Sequence, residues 1–327
     1  MCTAITYKTK DNYFGRNLDL EYSYNETVTV TPRNYTFSFR RARKIEHHFA
    51  MIGMAYISDG YPLYYDATNE KGLSAAGLNF PGNADYKPYR EGSDNITPFE
   101  LIPWILCQCA TVADAEALIK RLNLLNESFS DELPLTPLHW IISDRERSIT
   151  LEPLDCGLKI HENPIGVLTN NPTFDYHMFN LNNYMSLTNG EPKSRFAEDS
   201  KCLTLKPYSR GMGAIGLPGD ASSTSRFIKA AFVKLNSRAE ASEAESVSQF
   251  FHILRSVEMQ RGCVLLESGL YEFTQYSSCC NTERGIYYYT TYGNSRINAV
   301  DMQRENLEGS ELAFYPLKKE QEIAFQN

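Results

Sequence analysis

The sequence predicts an α+β fold in which antiparallel sheets stack on each other and helices lie outside them. Segments rich in β-branched and aromatic residues, which favour strands, occur in groups along the chain. Segments with helical periodicity occur in pairs between those groups. Single strands alternating with helices would indicate a parallel sheet, so the grouping favours antiparallel sheets. We expect the 327 residues to form one domain, 1–327, because large two-sheet folds reach this length.

The first third of the chain consists mostly of predicted strands. Five segments have the length and composition of strands, and they span 2–7, 13–16, 27–31, 50–57 and 73–78. A polar turn at 10–12 separates the first two segments. We therefore expect an antiparallel hairpin in which residues 14–19 run back along residues 2–7.

Two consecutive helices are predicted after these strands. Thr97 and Glu100 form the T-x-x-E pattern of a capping box, with Pro98 at the first helical position. This helix should run to about residue 109, and Thr111 opens a second one through about residue 122. Two amphipathic helices beside a block of strands indicate a helical layer that covers a sheet.

The rest of the chain repeats this grouping of strands and helices. A charged turn joins strands 138–142 and 148–151 into a predicted hairpin, and a short strand follows at 165–168. Helices are predicted at 174–187, 226–235 and 244–254, and Tyr- and Thr-rich strands at 271–277 and 286–292. The two last strands are spaced as antiparallel neighbours.

The charge and hydropathy patterns exclude two classes of partner. The formal net charge is −8, whereas a nucleic-acid binder needs a basic face to meet phosphates. No apolar run reaches the length that spans a membrane, and polar residues interrupt the N-terminal segment where a secretory signal would need an apolar core. We expect a cytoplasmic protein that binds neither nucleic acid nor membranes.

The cysteines, histidines and glycines indicate no metal or nucleotide cofactor. The eight cysteines contain no C-x-x-C pair and there is no H-E-x-x-H, so a structural zinc site is not expected. The G-x-G-x-x-G match at 211–216 runs into Pro218-Gly219, and Asn236 stands near the position where a dinucleotide site needs an acid. We interpret this segment as a glycine-rich loop. No G-x-S-x-G elbow of a serine hydrolase is present.

Cys2 is the residue that indicates a chemistry. If Met1 is removed, giving a mature chain 2–327, one residue carries both a thiol and a free α-amine. That amine has an ordinary pKa of about 7.7–8, so it exchanges a proton near neutral pH. A nucleophile is then joined covalently to its own base, as in N-terminal threonine enzymes. The plain alternative is an incidental cysteine near the start of a chain.

Arg16 and Asp19 strengthen the case for Cys2. In the predicted hairpin both side chains could lie near the thiol. A guanidinium lowers the pKa of a neighbouring thiol because it stabilises the thiolate, and a carboxylate can hold the terminal amine. The plain alternative is an ordinary salt bridge at the end of a strand.

Seven blocks of the chain together resemble the choloylglycine hydrolases, a family of N-terminal-nucleophile hydrolases. These blocks, which occur in family order, are Met1-Cys2-Thr3, Tyr13-Phe14-Gly15-Arg16-Asn17-Leu18-Asp19, Ala76-Gly77-Leu78-Asn79-Phe80-Pro81-Gly82, Leu138-His139-Trp140, Leu168-Thr169-Asn170-Asn171-Pro172-Thr173-Phe174, Gly216-Leu217-Pro218-Gly219-Asp220 and Ser225-Arg226-Phe227. The resemblance implies a four-layer αββα sandwich, hydrolysis of an amide bond, no cofactor and a homotetramer.

The resemblance also implies roles for six residues. Cys2 matches the nucleophile, Arg16 and Asp19 match the pair that contacts it, Asn170 and the backbone N–H of Asn79 match the oxyanion hole, and Arg226 matches a cation that supports the transition state. Asn171 competes with Asn170 for the oxyanion role, and we interpret it as a turn residue before Pro172.

The resemblance points to conjugated bile salts as substrates, cleaved to a free bile acid and glycine or taurine. Penicillin V acylases share the nucleophile but often carry Tyr at the position of Asn79, which favours the bile salt branch. Leu18, Tyr24, Leu133 and Leu138 match pocket-lining positions of the family, although each is also a plain core candidate. A penicillin V acylase, a thiol-dependent transferase and a non-catalytic binding protein with the same fold stay open as alternatives.

Overall fold

Two antiparallel sheets, each covered by helices, form the body of the computed structural model, which describes residues 1–196, 199, 201–240 and 242–327. Sheet I has six strands in the order β12-β1-β2-β13-β14-β15. They are β1 Cys2–Lys8, β2 Asn12–Leu20, β12 Val167–Leu168, β13 Phe273–Asn281, β14 Ile286–Thr291 and β15 Asn294–Asp301. Every neighbouring pair in this sheet is antiparallel.

Sheet II has eight strands and is also antiparallel throughout. Its order is β11-β10-β9-β6-β5-β4-β3-β16. The strands are β3 Thr27–Thr31, β4 Met51–Ser58, β5 Tyr61–Asn69, β6 Ser74–Asn79, β9 Leu138–Ser143, β10 Ser148–Leu154, β11 Gly157–Glu162 and β16 Ala313–Pro316. A separate parallel pair joins β7 Asp94–Ile96 to β8 Leu122–Leu124.

The described residues include five α-helices. They are α1 Leu101–Leu106, α2 Val112–Ile119, α3 Phe174–Asn180, α4 Ser223–Asn236 and α5 Glu243–Arg255. Helices α4 and α5 pack on sheet I, and their buried residues join those of β1 in one core cluster. Helices α1 and α2 pack on sheet II in a second cluster. The predicted four-layer αββα sandwich is confirmed.

Polar contacts bridge the two sheets inside the core. Asp66 of β5 is buried and accepts hydrogen bonds from Tyr276 (3.0 Å) and Tyr287 (2.7 Å) of sheet I. Burial raises the pKa of Asp66 to about 6, and nearby Arg16 opposes this shift. Burying a carboxylate without hydrogen-bond donors would cost free energy, so these two phenol hydroxyls restrain how sheet II stacks on sheet I.

Several strands are missing from the prediction, and several predicted helix ends are wrong. Strands β5, β7, β8, β11, β15 and β16 were not predicted. The second helix ends at Ile119, because residues 122–124 pair with β7 instead of continuing the helix. The first helix ends at Leu106, and α3 gives way after Asn180 to a 3-10 turn. At residues 122–124, strand pairing overrides the local helical periodicity.

The capping box predicted at Thr97 is confirmed, and it opens a 3-10 turn, Pro98–Glu100, that leads into α1. The Glu100 carboxylate accepts from the backbone N–H (3.0 Å) and the hydroxyl (2.7 Å) of Thr97. The hairpin of β1 and β2 also forms as expected, with Cys2 opposite Leu18 and Ala4 opposite Arg16. Within the described residues, no helix combines the length and apolar character needed to cross a membrane.

Candidate active site

Cys2 begins β1 at the edge where the two sheets and α4 meet. Its side chain is buried, and its backbone N–H donates to Oδ1 of Asn170 at 2.8 Å. Asn170 follows directly after Thr169 at the end of β12, the strand that pairs with β1. Pairing of β12 with β1 therefore carries Asn170 to Cys2 across 168 residues of sequence.

Asn170 is held by contacts on three sides. Its Nδ2 donates to the carbonyl oxygen of Asn79 at 2.7 Å, and its own backbone N–H donates to Oγ of Ser223 at 2.8 Å. A side-chain amide carries two N–H protons, so one of them is left for a developing negative charge beside Cys2. Asn79 ends β6 next to this amide. The structure thus brings Cys2, Asn79 and Asn170 together.

Asn171 points elsewhere than Asn170. Its Nδ2 donates to the carbonyl oxygen of Pro81 at 2.6 Å, and none of its hydrogen bonds reaches Cys2. The geometry therefore places the amide of Asn170, and not that of Asn171, beside Cys2.

Arg226 reaches the site from α4. Its Nη2 donates to Oδ1 of Asn170 and its Nη1 to Oγ1 of Thr3, both at 2.7 Å, and Nη1 also donates to the carbonyl oxygen of Cys2. Its Nε donates to the carbonyl oxygen of Ala221 at 3.0 Å, which fixes the base of the guanidinium. Burial lowers the pKa of Arg226, while Asp19 and Cys2 oppose that shift. The guanidinium therefore places a buried positive charge between Cys2 and Asn170.

Arg16 projects from β2 into the space between the sheets. It is fully buried, and its Nη1 donates to the carbonyl oxygens of Tyr65 (3.0 Å) and Gly77 in sheet II. Burial alone would lower its pKa, but the neighbouring Cys2, Tyr276 and Asp66 outweigh burial and raise it. Its Nη2 has no hydrogen-bond partner. Arg16 thus keeps a positive charge within the electrostatic reach of Cys2.

Asp19 and the chain start meet on the other side of Cys2. Oδ1 of Asp19 accepts from Oγ1 of Thr274 at 2.6 Å, whereas the buried Oδ2 has no hydrogen-bond partner. Burial raises the pKa of Asp19, and Arg226 and the terminal amine oppose this shift. The Met1 amine donates to the backbone oxygen of Asp19 at 2.9 Å and forms an ion pair with Glu272. Two carboxylates therefore flank the N-terminus.

Three contributors to this site have no local sequence signal. Glu272 and Thr274 lie at the start of β13, more than 250 residues from Asp19, and Ser223 lies on the first turn of α4. Their proximity follows from sheet order and helix packing. A motif search cannot find such residues, because each is an ordinary polar residue in its own segment.

A cavity of about 280 Å³ opens at Cys2. Cys2, Arg16 and Asn79 line it, and so do all four predicted pocket residues, Leu18, Tyr24, Leu133 and Leu138. Other walls come from aromatic and aliphatic side chains such as Tyr56, Phe99, Ile102, Phe129 and Trp140. Small-molecule sites are of similar or larger volume, about 300–1,000 Å³, and mostly apolar. The cavity suits a large apolar body that presents one polar bond to Cys2.

No metal centre is found among the residues that the structure describes. Within those ranges, no three side chains of His, Cys, Asp or Glu are grouped so that they could hold a metal ion. The glycine-rich segment 211–216 forms a 3-10 turn at Met212–Ala214 followed by a loop.

Comparisons with known proteins agree with this geometry. The model of the family described as linear amide C–N hydrolases, choloylglycine hydrolase family, matches residues 2–315. A bile salt hydrolase/transferase from Lactiplantibacillus plantarum is 56% identical, over 98% of both chains. A bile salt hydrolase/transferase from Clostridium perfringens is 40% identical, also over 98% of both chains.

Solved structures show the same fold. A cysteine-to-alanine variant of conjugated bile acid hydrolase from Clostridium perfringens superposes with a TM-score of 0.91, at 38% identity over 100% of both chains. A penicillin V acylase from Agrobacterium tumefaciens reaches a TM-score of 0.73 at 20% identity, over 96% of this chain and 90% of that one. At that identity the second likeness concerns the fold alone. Together with the family match, these findings establish that this chain belongs to the choloylglycine hydrolase family of linear amide C–N hydrolases.

Proposed function

We propose that this chain hydrolyses the amide bond of glycine- or taurine-conjugated bile salts with Cys2 as its nucleophile. The observation that carries the proposal is the position of Cys2, at the polar end of an apolar cavity and within a cluster of Arg16, Asn170 and Arg226. The names of relatives that match nearly the whole chain support the same substrate class. Release of glycine from glycocholate by purified protein is the direct test.

Removal of Met1 would prepare the nucleophile. Cys2 would then carry a free α-amine close to Asn170 and to the unpaired Oδ2 of Asp19. Burial lowers the pKa of the Met1 amine at this end of β1, and burial of a Cys2 amine would act in the same direction, favouring the neutral amine that serves as a base. The amine can then take the proton of its own thiol, because base and nucleophile belong to one residue.

Acyl transfer would proceed through a thioester. The thiolate sulfur attacks the amide carbonyl carbon, and the carbonyl oxygen takes the negative charge beside Asn170 Nδ2 and the Asn79 backbone. The protonated α-amine of Cys2 gives its proton to the leaving nitrogen as the C–N bond breaks. Water then attacks the thioester, gives a proton to the amine, and releases the free bile acid. Arg16 and Arg226 stabilise the negative charges of these steps because they are held in a dry site.

An amine could replace water in the last step. Both relatives described above carry the word transferase in their names, and the same thioester would supply that reaction. Acyl transfer to an amine is therefore a second candidate activity. To distinguish the two activities, glycine and taurine are added to a reaction that contains a bile acid conjugated to a different amine. Newly formed glycine or taurine amides are then detected by mass.

The first prediction concerns substrate preference. We expect specificity constants to vary more with the steroid nucleus than between glycine and taurine conjugates of one nucleus. The sterol body would bury extensive apolar surface, at about 25 cal/mol per Å². A misplaced hydroxyl against an apolar wall costs about 1–3 kcal/mol, or about 5- to 150-fold. The measurement is kcat/KM for two conjugates of each of several nuclei.

Penicillin V serves as the outgroup in the same experiment. If it gave the highest kcat/KM, the chain would belong to the acylase branch, and the assignment of Cys2 would stand. A chain that bound bile salts and cleaved none of these compounds would be the non-catalytic alternative.

The second prediction concerns cofactors. Extensive dialysis against a strong chelator should leave kcat unchanged, because Cys2 and its own amine supply the nucleophile and the base. Alkylation of thiols should abolish activity. Cys156, Cys202 and Cys263 are exposed and would react as well, so the control is a variant with these three replaced by serine. Loss of activity on chelation that zinc restores would contradict the mechanism.

We also propose a homotetramer located in the cytoplasm. The segment 176–215 carries strongly exposed apolar side chains, among them Met185, Phe196 and Tyr208, each more than 80% exposed. Contiguous exposed apolar surface is typical of protein interfaces. Light scattering during gel filtration, on the wild type and on a variant with these three residues replaced by serine, tests the assembly.

The cytoplasmic location is supported by the cysteines. Free buried thiols at Cys107, Cys109, Cys279 and Cys280 suit a reducing compartment, and cell fractionation tests the location.

A further inference from the structure

We infer that two buried histidines, His139 and His177, with Glu152 behind the first, hold the backbone on both sides of Asn170 and thereby aim its amide at the reacting carbonyl. They are positioning residues, because they touch neither Cys2 nor the cavity. The inference rests on the proposed function, in which Asn170 donates to the oxyanion.

The backbone at Asn170 needs partners that the sheet does not give. Strand β12 consists of Val167 and Leu168, and its pairing with β1 ends at Leu168. The next two carbonyls, of Thr169 and Asn170, therefore lie beyond the ladder although both residues are buried. Buried carbonyls without donors are costly, so other groups must satisfy them.

His139 and His177 supply these donors. His139 Nε2 lies 2.9 Å from the Thr169 oxygen, and His177 Nε2 lies 2.9 Å from the Asn170 oxygen. A carbonyl oxygen only accepts, so both rings carry a proton on Nε2. Ring stacking restrains them further: His139 stacks on Phe80 at 4.1 Å between centroids, and His177 on Phe227 at 4.7 Å.

Glu152 fixes the orientation of His139. Its Oε1 lies 3.3 Å from His139 Nδ1 and accepts the backbone N–H of Phe174 at 2.9 Å. With Nε2 of His139 already donating, the contact between Nδ1 and Oε1 also needs a proton, since two bare acceptors would repel each other. One proton therefore lies between His139 Nδ1 and Glu152 Oε1, and this contact ties the ring to the carboxyl group. His161 lies 3.3 Å from the other Glu152 oxygen.

His177 differs from His139 because its Nδ1 has no hydrogen-bond partner. Burial lowers the pKa of His177 to about 4, so it is neutral at ordinary pH, and its Nδ1 has no partner. A neutral ring with its proton on Nε2 is the form that the Asn170 carbonyl requires. The two histidines therefore hold consecutive carbonyls, His139 with Glu152 behind it and His177 as a neutral donor without a second partner.

The test compares variants that keep or remove the Nε2 donor. We expect His139→Leu to lower kcat on glycocholate about 10- to 100-fold with KM nearly unchanged, because a small displacement of a catalytic group has that effect. His139→Gln places an amide N–H near the position of Nε2 and should restore most of the loss. His48→Leu is the matched control, since His48 is buried and both its ring nitrogens face backbone carbonyls far from Cys2. It should leave kcat unchanged even where it lowers Tm.

A double-mutant cycle separates positioning from general destabilisation. In an Asn170→Ser background, His139→Leu should cause little further loss of kcat, because its effect passes through the missing amide. If His139→Leu does not fold, Glu152→Gln replaces it in the double-mutant cycle, because this substitution preserves the side-chain volume. An unchanged kcat in the single variant, or an equal loss in both backgrounds, would overturn the inference while wild-type cleavage of glycocholate upheld the proposed function. A wild type that cannot cleave glycocholate would refute the proposed function itself.

Discussion

Replacing Cys2 by alanine is expected to abolish amide hydrolysis while the fold stays intact. The loss in kcat should be at least about 10⁵-fold, since removal of a covalent nucleophile costs this much in related chemistry. No other described thiol lines the cavity, so no neighbour can substitute. Steady-state release of glycine, with circular dichroism of both proteins, is the measurement. A cysteine-to-alanine variant of the Clostridium perfringens relative has the same fold, which supports the choice of alanine.

The terminal amine is tested separately from the thiol. A chain that retains Met1 keeps the thiol but has no free amine on Cys2, and Met1 fills the space between Cys2, Asp19 and Glu272. An uncleavable N-terminal tag should therefore be nearly as damaging as Cys2→Ala, whereas a C-terminal tag should be harmless. Intact mass shows whether Met1 is present. Full activity in a chain of proven mass with Met1 retained would refute the proposed mechanism.

Replacing Asn170 by alanine is expected to lower kcat about 10²- to 10³-fold, the usual effect of losing one oxyanion donor. The loss should fall on kcat more than on KM, because the charge on the carbonyl oxygen develops only in the transition state. Asn170 also accepts from the Cys2 N–H and from Arg226, so part of the loss would reflect a less ordered nucleophile. Single-turnover measurements of thioester formation separate the rate of the acylation step from the rate of product release.

Asn171→Ala is the matched control for Asn170→Ala. Asn171 has the same side chain and is adjacent in sequence, but its amide binds the carbonyl oxygen of Pro81. It should retain near wild-type kcat. A larger loss from Asn171→Ala than from Asn170→Ala would mean that the neighbouring asparagine holds the oxyanion.

Local sequence predicted the part of the site that a single hairpin builds. Cys2, Arg16 and Asp19 lie on β1 and β2, and a polar turn between two short strands suffices to place them together. The capping box at Thr97 was equally local. The resemblance of ordered blocks added Asn79, Asn170 and Arg226, which no periodicity links to Cys2.

Edge strands and helix ends could not be predicted in the same way. Strands β11, β15 and β16 lie at sheet edges, where one side of the strand is solvated and the apolar pattern is weak. Strand β8 continues directly from a helical pattern, and only its pairing with β7 identifies it. Such segments are specified by their neighbours, whose positions the local sequence does not contain.

The sequence by itself determined the family, the order of the main strands and helices, and the placement of Cys2, Arg16 and Asp19 on one hairpin. Tertiary structure alone decided that Glu272 flanks the N-terminus and that His139 and His177 lie against the carbonyls of Thr169 and Asn170. The physical reason is distance along the chain: Arg226 meets Cys2 across 224 residues, and such contacts arise when sheet pairing and helix packing bring remote segments into one dry volume.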